Sequence, residues 1–406
     1  MTELKSLIGQ KFDVKIEKLA VGGSGIARHH FIDRDIVIFV PLTAPEDHVH
    51  IKIVSVEKTF LIGEVDKILN PSRHRRDPPC RVANICGGCS WQHIVESEQI
   101  GQKELILTDL FNKFLKDVPY ELTPAVVGKK QFNYRNRIQL KHFGNALGYF
   151  KKGSHDIVDI DFCPIADEKI NEFIPQLRRQ LNELFKSQLN DQPKAKLNSD
   201  LKKSDQIKKY ELKINSDGKF EHYPIGENSE GLSFAQVNSE INDLLVEKTV
   251  NEIQKRNPTQ ITELFAGAGN FTFPMIHALP SAVIKAVELN PQLVKHAVEK
   301  IKSLKIQKKL SFFTADCIQF CKTMPLSSDL IMIDPPRGGC EKVILEKIAM
   351  TQPKTLVYVS CHPVNLVRDL AYLQKLGYSF AIKYLQVFDM FPQTDHFETL
   401  CIIEKI

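Results

Sequence analysis

Apolar and polar positions divide the 406-residue chain into three stretches. Over residues 1–67, short runs of β-formers at Phe12–Ile16, Asp35–Val40, His48–Val56 and Leu61–Ile68 alternate or cluster. Turn signals at Gly22-Gly23-Ser24-Gly25 and Pro45-Glu46-Asp47 separate them. The spacing predicts a small all-β barrel. Residues 68–230 read as a mixed region. It holds a helix over Glu96–Phe114 with Leu105, Ile106, Leu110, Phe111 and Phe114 on one face, and a strand at Ile138–His142. Lys186–Lys209 is polar, Lys-rich and aperiodic, so an exposed loop or insert is expected. Residues 231–406 alternate strands and helices. Strands are expected at Ile261–Phe265, Ala282–Val287, Leu310–Phe313, Leu330–Ile333, Thr355–Ser360 and Ala381–Val387, with helices such as Pro291–Leu304 and Asn365–Leu376 between them. That alternation predicts an α/β fold with a doubly wound sheet.

Composition adds limits. Hydrophobic residues make up 43% and charged residues 25%, the balance of an ordinary globular protein with ample core. No apolar run approaches the ~18 residues a membrane span needs, and MTELKSLIGQ lacks the apolar core of a signal peptide. A cytoplasmic protein with reduced thiols and no membrane partner is expected. Its nine cysteines then point to ligands, nucleophiles or core rather than disulfides. A net charge of +5 permits a nucleic-acid partner without demanding one.

Candidate chemistry gathers in the C-terminal third. Leu356-Val357-Tyr358-Val359-Ser360 reads as a strand buried on both faces, and Pro363 ends it near Cys361. In open α/β sheets ligands sit beyond the carboxyl ends of strands, which puts Cys361 where a reacting atom would be. Glu263-Leu264-Phe265-Ala266-Gly267-Ala268-Gly269-Asn270 is a strand running into a glycine-rich turn, and Glu288 ends the next strand, where a carboxylate can bind ribose hydroxyls. NAD is the rival ligand for such a turn. However, Thr272 stands where the dinucleotide fingerprint wants its third glycine, and Asp334-Pro335-Pro336 fits an S-adenosylmethionine methyltransferase better. Asp316, just past a strand, is a candidate adenine contact. Amino-nitrogen methyltransferases with D-P-P usually carry an aromatic next; here Arg337 follows.

A second cluster lies in the middle region. Cys80, Cys86 and Cys89 form C-x5-C-x2-C around Gly87-Gly88, and Cys163, followed by Pro164, is a plausible fourth ligand. Four thiolates suit either structural zinc or an iron–sulfur cluster, and spacing does not choose between them.

Gly23-Ser24-Gly25-Ile26-Ala27-Arg28 with Val40-Pro41 resembles a TRAM domain, an RNA-binding barrel of the oligonucleotide-binding kind. Taken with the cysteine pattern, Phe132–Arg137, Phe234-Ala235-Gln236-Val237-Asn238, Asp334–Gly338, Ser360-Cys361-His362-Pro363 and Asp389–Thr394 with His396 and Glu398, the whole chain resembles the RNA 5-methyluridine methyltransferases. More narrowly it is similar to the branch with a TRAM domain and a 4Fe–4S cluster that modifies 23S ribosomal RNA. The resemblance implies a TRAM barrel over 1–67, a central iron–sulfur domain over 68–230 and a Rossmann-like methyltransferase domain over 231–406. It implies Cys361 as nucleophile and Glu398 as general base. It implies that Gln236, Phe265, Asn270, Glu288, Asp316 and Asp334 line the S-adenosylmethionine pocket and that Cys80, Cys86, Cys89 and Cys163 hold the cluster. The expected partner is 23S rRNA, with tRNA the alternative, and the expected state is a monomer.

The chemistry asks for these residue types. Uracil C5 is a poor nucleophile until a thiolate adds at C6, and the adduct resolves when a base removes the C5 proton. A free thiol with pKa about 8.5 is mostly protonated at neutral pH, so something must aid its ionisation. The target base must leave its stack, and Phe132, Arg135 and Arg137 are candidates to replace the lost stacking. Two rivals remain. A radical S-adenosylmethionine enzyme would typically show C-x3-C-x2-C, not a gap of five. A non-catalytic RNA-binding protein would have no need of an intact Cys361, Glu398 and Asp334.

Overall fold

The computed structural model describes residues 2–31, 34–191, 207–215, 217–225 and 236–406. They form two compact units. One comprises 1–102, 129–229 and 391–395; the other comprises 103–128, 230–390 and 396–406. No described helix is long and apolar enough to cross a membrane.

The first unit opens with a six-stranded sheet in the order Lys11–Lys15, His48–Val56, Phe60–Asn70, Arg34–Val40, Gly25–Phe31, Lys18–Leu19. Alternate residues Ile36, Ile38, Val40 and Val49, Ile51, Ile53 point into one core. Register shifts along His48–Val56 bend the long hairpin, as bulges do in small barrels. Sequence patterning misses the strand Gly25–Phe31. Its outward positions include Arg28 and His30, and His29 interrupts the inward row of Ala27 and Phe31, so its apolar signal is too thin to stand out.

The rest of that unit is an antiparallel five-stranded sheet, Ile157–Asp159, Ala146–Phe150, Arg137–Phe143, Lys208–Ile214, Phe220–Ile225, packed against the helix Glu168–Asp191. Ile170, Ile174, Leu177 and Leu181 recur at helical spacing and bury against Ile138, Leu140 and Leu212. Both ends of the loop expected over Lys186–Lys209 are instead regular structure. The helix runs on through Asp191 and a strand starts at Lys208; residues 192–206 lie outside the described residues. The helix Glu96–Phe114 forms as expected, but its buried side carries Lys103, Ile106, Leu107 and Phe111, while Leu105 and Phe114 are exposed.

The second unit is built on an eight-stranded sheet in the order Leu310–Thr314, Val283–Glu288, Gln260–Leu264, Leu330–Ile333, Thr355–Ser360, Glu398–Lys405, Phe380–Phe388, Leu122–Val126. The first five are parallel and joined by helices. Leu330–Ile333 and Thr355–Ser360 are buried along their whole length, which is why both read as unbroken apolar runs. Glu398–Lys405 enters antiparallel, so its first residue lies at the edge where the parallel strands end. This is the Rossmann-like architecture expected of the C-terminal third.

Candidate active site and cysteine pocket

Five parallel strands deliver their carboxyl ends to one edge of the sheet, and the sequence puts polar groups at each of those ends. The glycine turn follows Leu264, Glu288 closes its own strand, Asp316 follows Thr314, Asp334 follows Ile333 and Cys361 follows Ser360. In the last ladder Ser360 faces Thr399, so the next pair outward is Cys361 beside Glu398.

The glycine turn is shaped for close backbone approach. Phe265, Gly267 and Gly269 all have positive φ, and a Cβ on Gly269 would strike the Phe273 ring at 2.6 Å. A Cβ on Gly267 would meet nothing within 4 Å, so the space beside it is open. Glu288 braces the turn. Its Oε2 accepts from the Gly267 amide at 2.9 Å and its Oε1 from the Asn290 amide at 2.8 Å. Asp316 caps the helix Cys317–Thr323, accepting from the Ile318 and Gln319 amides through Oδ1. Asn270 exchanges two amide hydrogen bonds with Asn242. Gln236 is half-buried, two residues before the helix cap Asn238; Phe234 and Ala235 lie outside the described residues.

Charge converges on the cysteine. Burial pushes the Cys361 thiol up to about 12, Glu398 and Asp334 add to the rise, and Arg337 opposes it. Glu398 is only 4% exposed. Burial holds its carboxyl well above the usual range, Asp334 reinforces this, and Arg337 again pulls the other way. Burial raises Asp334 to about 7. Sequence reading gave no role to Glu263, which lies beneath the turn. Burial raises it to about 8, and it accepts the Thr272 hydroxyl at 2.5 Å. The missing third glycine was the available signal, since the residue there supplies a hydroxyl instead of space. Nor did it give Arg337 a role toward Cys361; it was noted only as the residue after D-P-P.

The four cysteines of the other unit line one pocket together with Val82, Ala83, Gly88, Gln92 and Tyr149. Their sulfurs face hydrogen-bond donors. The Gly88 amide donates to Cys86 Sγ at 3.4 Å, and the Tyr149 hydroxyl donates to Cys163 Sγ at 3.7 Å. Burial raises Cys86 to about 11 and Cys89 to about 12, and the neighbouring thiols add to both. A Cβ on Gly88 would lie 3.5 Å from Cys86 Sγ, in ordinary van der Waals contact. An all-sulfur donor set with N–H and O–H groups turned toward it suits an iron–sulfur group. Among the described residues, no three His, Cys, Asp or Glu side chains are arranged to hold a single metal ion.

Of the three candidates for stacking on a base, Arg137 is committed elsewhere. Its guanidinium pairs with the buried Glu211 at 2.5 Å. Arg135 lines the cysteine pocket, and Phe132 lies under the Arg76 guanidinium.

The sheet order, the glycine turn and the N-terminal barrel define a Rossmann-like methyltransferase with an attached TRAM domain. The family profile described as tRNA (Uracil-5-)-methyltransferase matches residues 197–406, and the TRAM domain profile matches 5–65. An uncharacterised RNA methyltransferase of Bdellovibrio bacteriovorus is 36% identical over 97% of this chain and 95% of its own length. A 23S rRNA (uracil(1939)-C(5))-methyltransferase of Shewanella sediminis is 28% identical over 98% of this chain and 96% of its own. Among solved structures, the Pyrococcus abyssi tRNA (uracil-54, C5)-methyltransferase in complex with S-adenosyl-L-homocysteine superposes with a TM-score of 0.68. It is 20% identical, covering 97% of this chain and 100% of that one. The chain belongs to the RNA uracil-5-methyltransferase family.

Proposed function

We propose that this enzyme transfers a methyl group from S-adenosylmethionine to C5 of one uridine in 23S rRNA, through a covalent bond between Cys361 and uracil C6. The observation that carries the reading is the meeting of Cys361, Glu398, Asp334 and Arg337 at the carboxyl edge of the sheet, the last three all acting on the ionisation of Cys361. The full-length likeness to the Shewanella enzyme, barrel included, favours 23S rRNA over tRNA.

S-adenosylmethionine, when bound, supplies an electrophilic methyl group on a cationic sulfonium. The open turn at Gly267 with Glu288 beside it, together with Gln236, Phe265, Asn270, Asp316 and Asp334, would hold it. Asp316 has one carboxylate oxygen left over from its capping bonds. Cys361 loses its proton and its sulfur adds to C6, which moves the electron pair of the C5–C6 double bond toward C5. That carbon would then take the methyl group as the S–CH3 bond breaks, with S-adenosylhomocysteine as the leaving group. Glu398, once ionised, removes the C5 proton, and the electron pair left at C5 restores the double bond as the C6–S bond breaks. Burial works against the charged form of both groups, so each needs positive charge nearby before it acts. Arg337 is the side chain of this chain that provides it.

The cysteines Cys80, Cys86, Cys89 and Cys163 would hold a 4Fe–4S cluster that orders the segment between them. The reaction itself moves no net electrons. The proposed domains are the barrel over 1–67, the central domain over 68–230, which lends residues 103–128 to the methyltransferase unit, and the methyltransferase domain over 231–406, acting as a monomer in the cytoplasm.

Purified enzyme and RNA carrying 5-fluorouridine at the target should yield a denaturation-resistant complex with the cofactor present, because fluorine does not leave as a proton does. A Cys361→Ala variant that still forms the complex would overturn the assignment. Mapping 5-methyluridine in RNA from cells lacking the gene decides between substrates: loss from 23S rRNA supports the reading, and loss from tRNA replaces it.

A further inference from the structure

The chain between Phe388 and Glu398 leaves one compact unit and returns to it. Residues 391–395 belong to the unit that holds the barrel and the cysteine pocket, while Met390 and His396 on either side belong to the methyltransferase unit. Within its own unit the loop is gripped along its length. Pro392 O accepts the Tyr134 hydroxyl at 3.1 Å. Gln393 is fully buried in a left-handed conformation, φ 71°, which a non-glycine residue adopts only when its surroundings enforce it. The enforcement is visible. Its amide donates to Gln99 Oε1 at 2.9 Å, its carbonyl accepts the Trp91 amide at 3.0 Å, and its side-chain oxygen accepts from Gln99 and Arg76 at 3.0 and 2.6 Å. Asp395 exchanges two hydrogen bonds with the Ser90 hydroxyl, at 2.8 and 2.9 Å, and takes a third from the Gly22 amide at 2.9 Å.

Asp389, two residues before Phe391, is fixed too, by a buried ion pair with Lys103 at 2.5 Å within the methyltransferase unit. Glu398 therefore has two restraints. The strand ladder, in which it faces Phe388, sets one side. The other side is set by a loop whose conformation is dictated from Ser90 and Gln99.

We propose that Ser90 and Gln99 are positioning residues for Glu398, acting through the loop that leads into it. Neither touches a reacting atom. The inference rests on the reading of Glu398 as the base that resolves the covalent intermediate. A base displaced by a fraction of an ångström still permits Cys361 to add and C5 to take the methyl group, and slows the removal of the C5 proton. The intermediate then accumulates. A loop that only stabilised the fold would slow addition and resolution together.

The test uses full-length enzyme, S-adenosylmethionine and unmodified RNA, with the fraction of enzyme covalently bound to RNA in the steady state read on a denaturing gel. Glu398→Gln is the reference and should accumulate the bound form. Ser90→Ala and Gln99→Ala should lower kcat roughly 10- to 100-fold, leave KM for RNA within about twofold, and raise the bound fraction as the reference does. Asp395→Asn breaks the same contact from the other side, for use if Ser90→Ala fails to fold. Ser90→Thr, which keeps the hydroxyl, should restore resolution. If Glu398→Gln accumulates no bound form, the base assignment fails and this inference with it. If it does while the Ser90, Gln99 and Asp395 variants do not, or if those variants lose RNA affinity in proportion to rate, the positioning role alone is overturned.

Discussion

Cys361 and the cysteine pocket are buried to similar effect and tuned by different means. Burial pushes Cys361 and Cys89 up to about 12 alike. Around Cys361 the neighbours are ionisable groups, two carboxyls raising the thiol's pKa and one guanidinium lowering it. Around Cys86 and Cys163 they are dipoles, an amide N–H and a phenol hydroxyl aimed at sulfur. Charges that change protonation can be rearranged within a catalytic cycle. Fixed dipoles cannot, and they suit sulfurs that stay ligated. The same side chain thus has ionisable neighbours in one unit and hydrogen-bond donors in the other.

The largest effect expected from breaking this contrast is on iron. Cys89→Ser or Cys163→Ser should lose nearly all bound iron and acid-labile sulfide and lower Tm, while Cys361→Ser keeps both. Iron analysis and a melting curve on anaerobically purified protein read this directly.

Next comes thiol reactivity. Without cofactor, Cys361 should react with iodoacetamide about 10²-fold more slowly than a free thiol at pH 8. Its thiolate fraction is roughly a thousandfold smaller, partly offset by the greater nucleophilicity of a more basic sulfur. The rate should climb about tenfold per pH unit past pH 9, where a free thiol levels off. The folded state holds the proton to higher pH than the unfolded one, so this thiol's contribution to stability is intact below about pH 8.5 and falls as pH rises beyond it. A plateau near pH 9 would mean that Cys361 is not buried as described.

Arg337→Gln should slow that alkylation further, by about threefold to tenfold, because the opposing positive charge is gone. Cys86 and Cys89 should be unaffected. The smallest effect is Tyr149→Phe, which keeps the ring and deletes the donor to Cys163. A stability loss of about 0.5–1.5 kcal/mol by denaturant titration is expected, with iron retained.

The parallel strands were legible because burial on both faces leaves only apolar, β-branched and aromatic residues. Leu330–Ile333 and Thr355–Ser360 fall where the pattern puts them. Gly25–Phe31 was not, because its outward face is polar. On the helix Glu96–Phe114 the apolar positions gave the element and not the buried side, since Lys103 lies buried against Asp389 while Phe114 is left exposed. The candidate site divides in the same way. Residues that end strands, such as Cys361, Asp334 and Glu288, could be singled out by position. Arg337 could not be given a role toward Cys361, because its influence crosses from one strand end to the next. The bracing of residues 391–395 was out of reach entirely, since its partners are far apart in sequence and follow no local period.

That distance has a consequence in time. Gln99 and Gln393 are separated by 294 positions, and Gly22 and Asp395 by 373. At about 5–20 residues per second of synthesis, Gln99 waits roughly 15–60 s for its partner. The barrel and the cysteine segment leave the ribosome early, yet the unit they belong to stays open until residue 395 has been made. The part of the chain that is born first is therefore completed only when synthesis is almost finished.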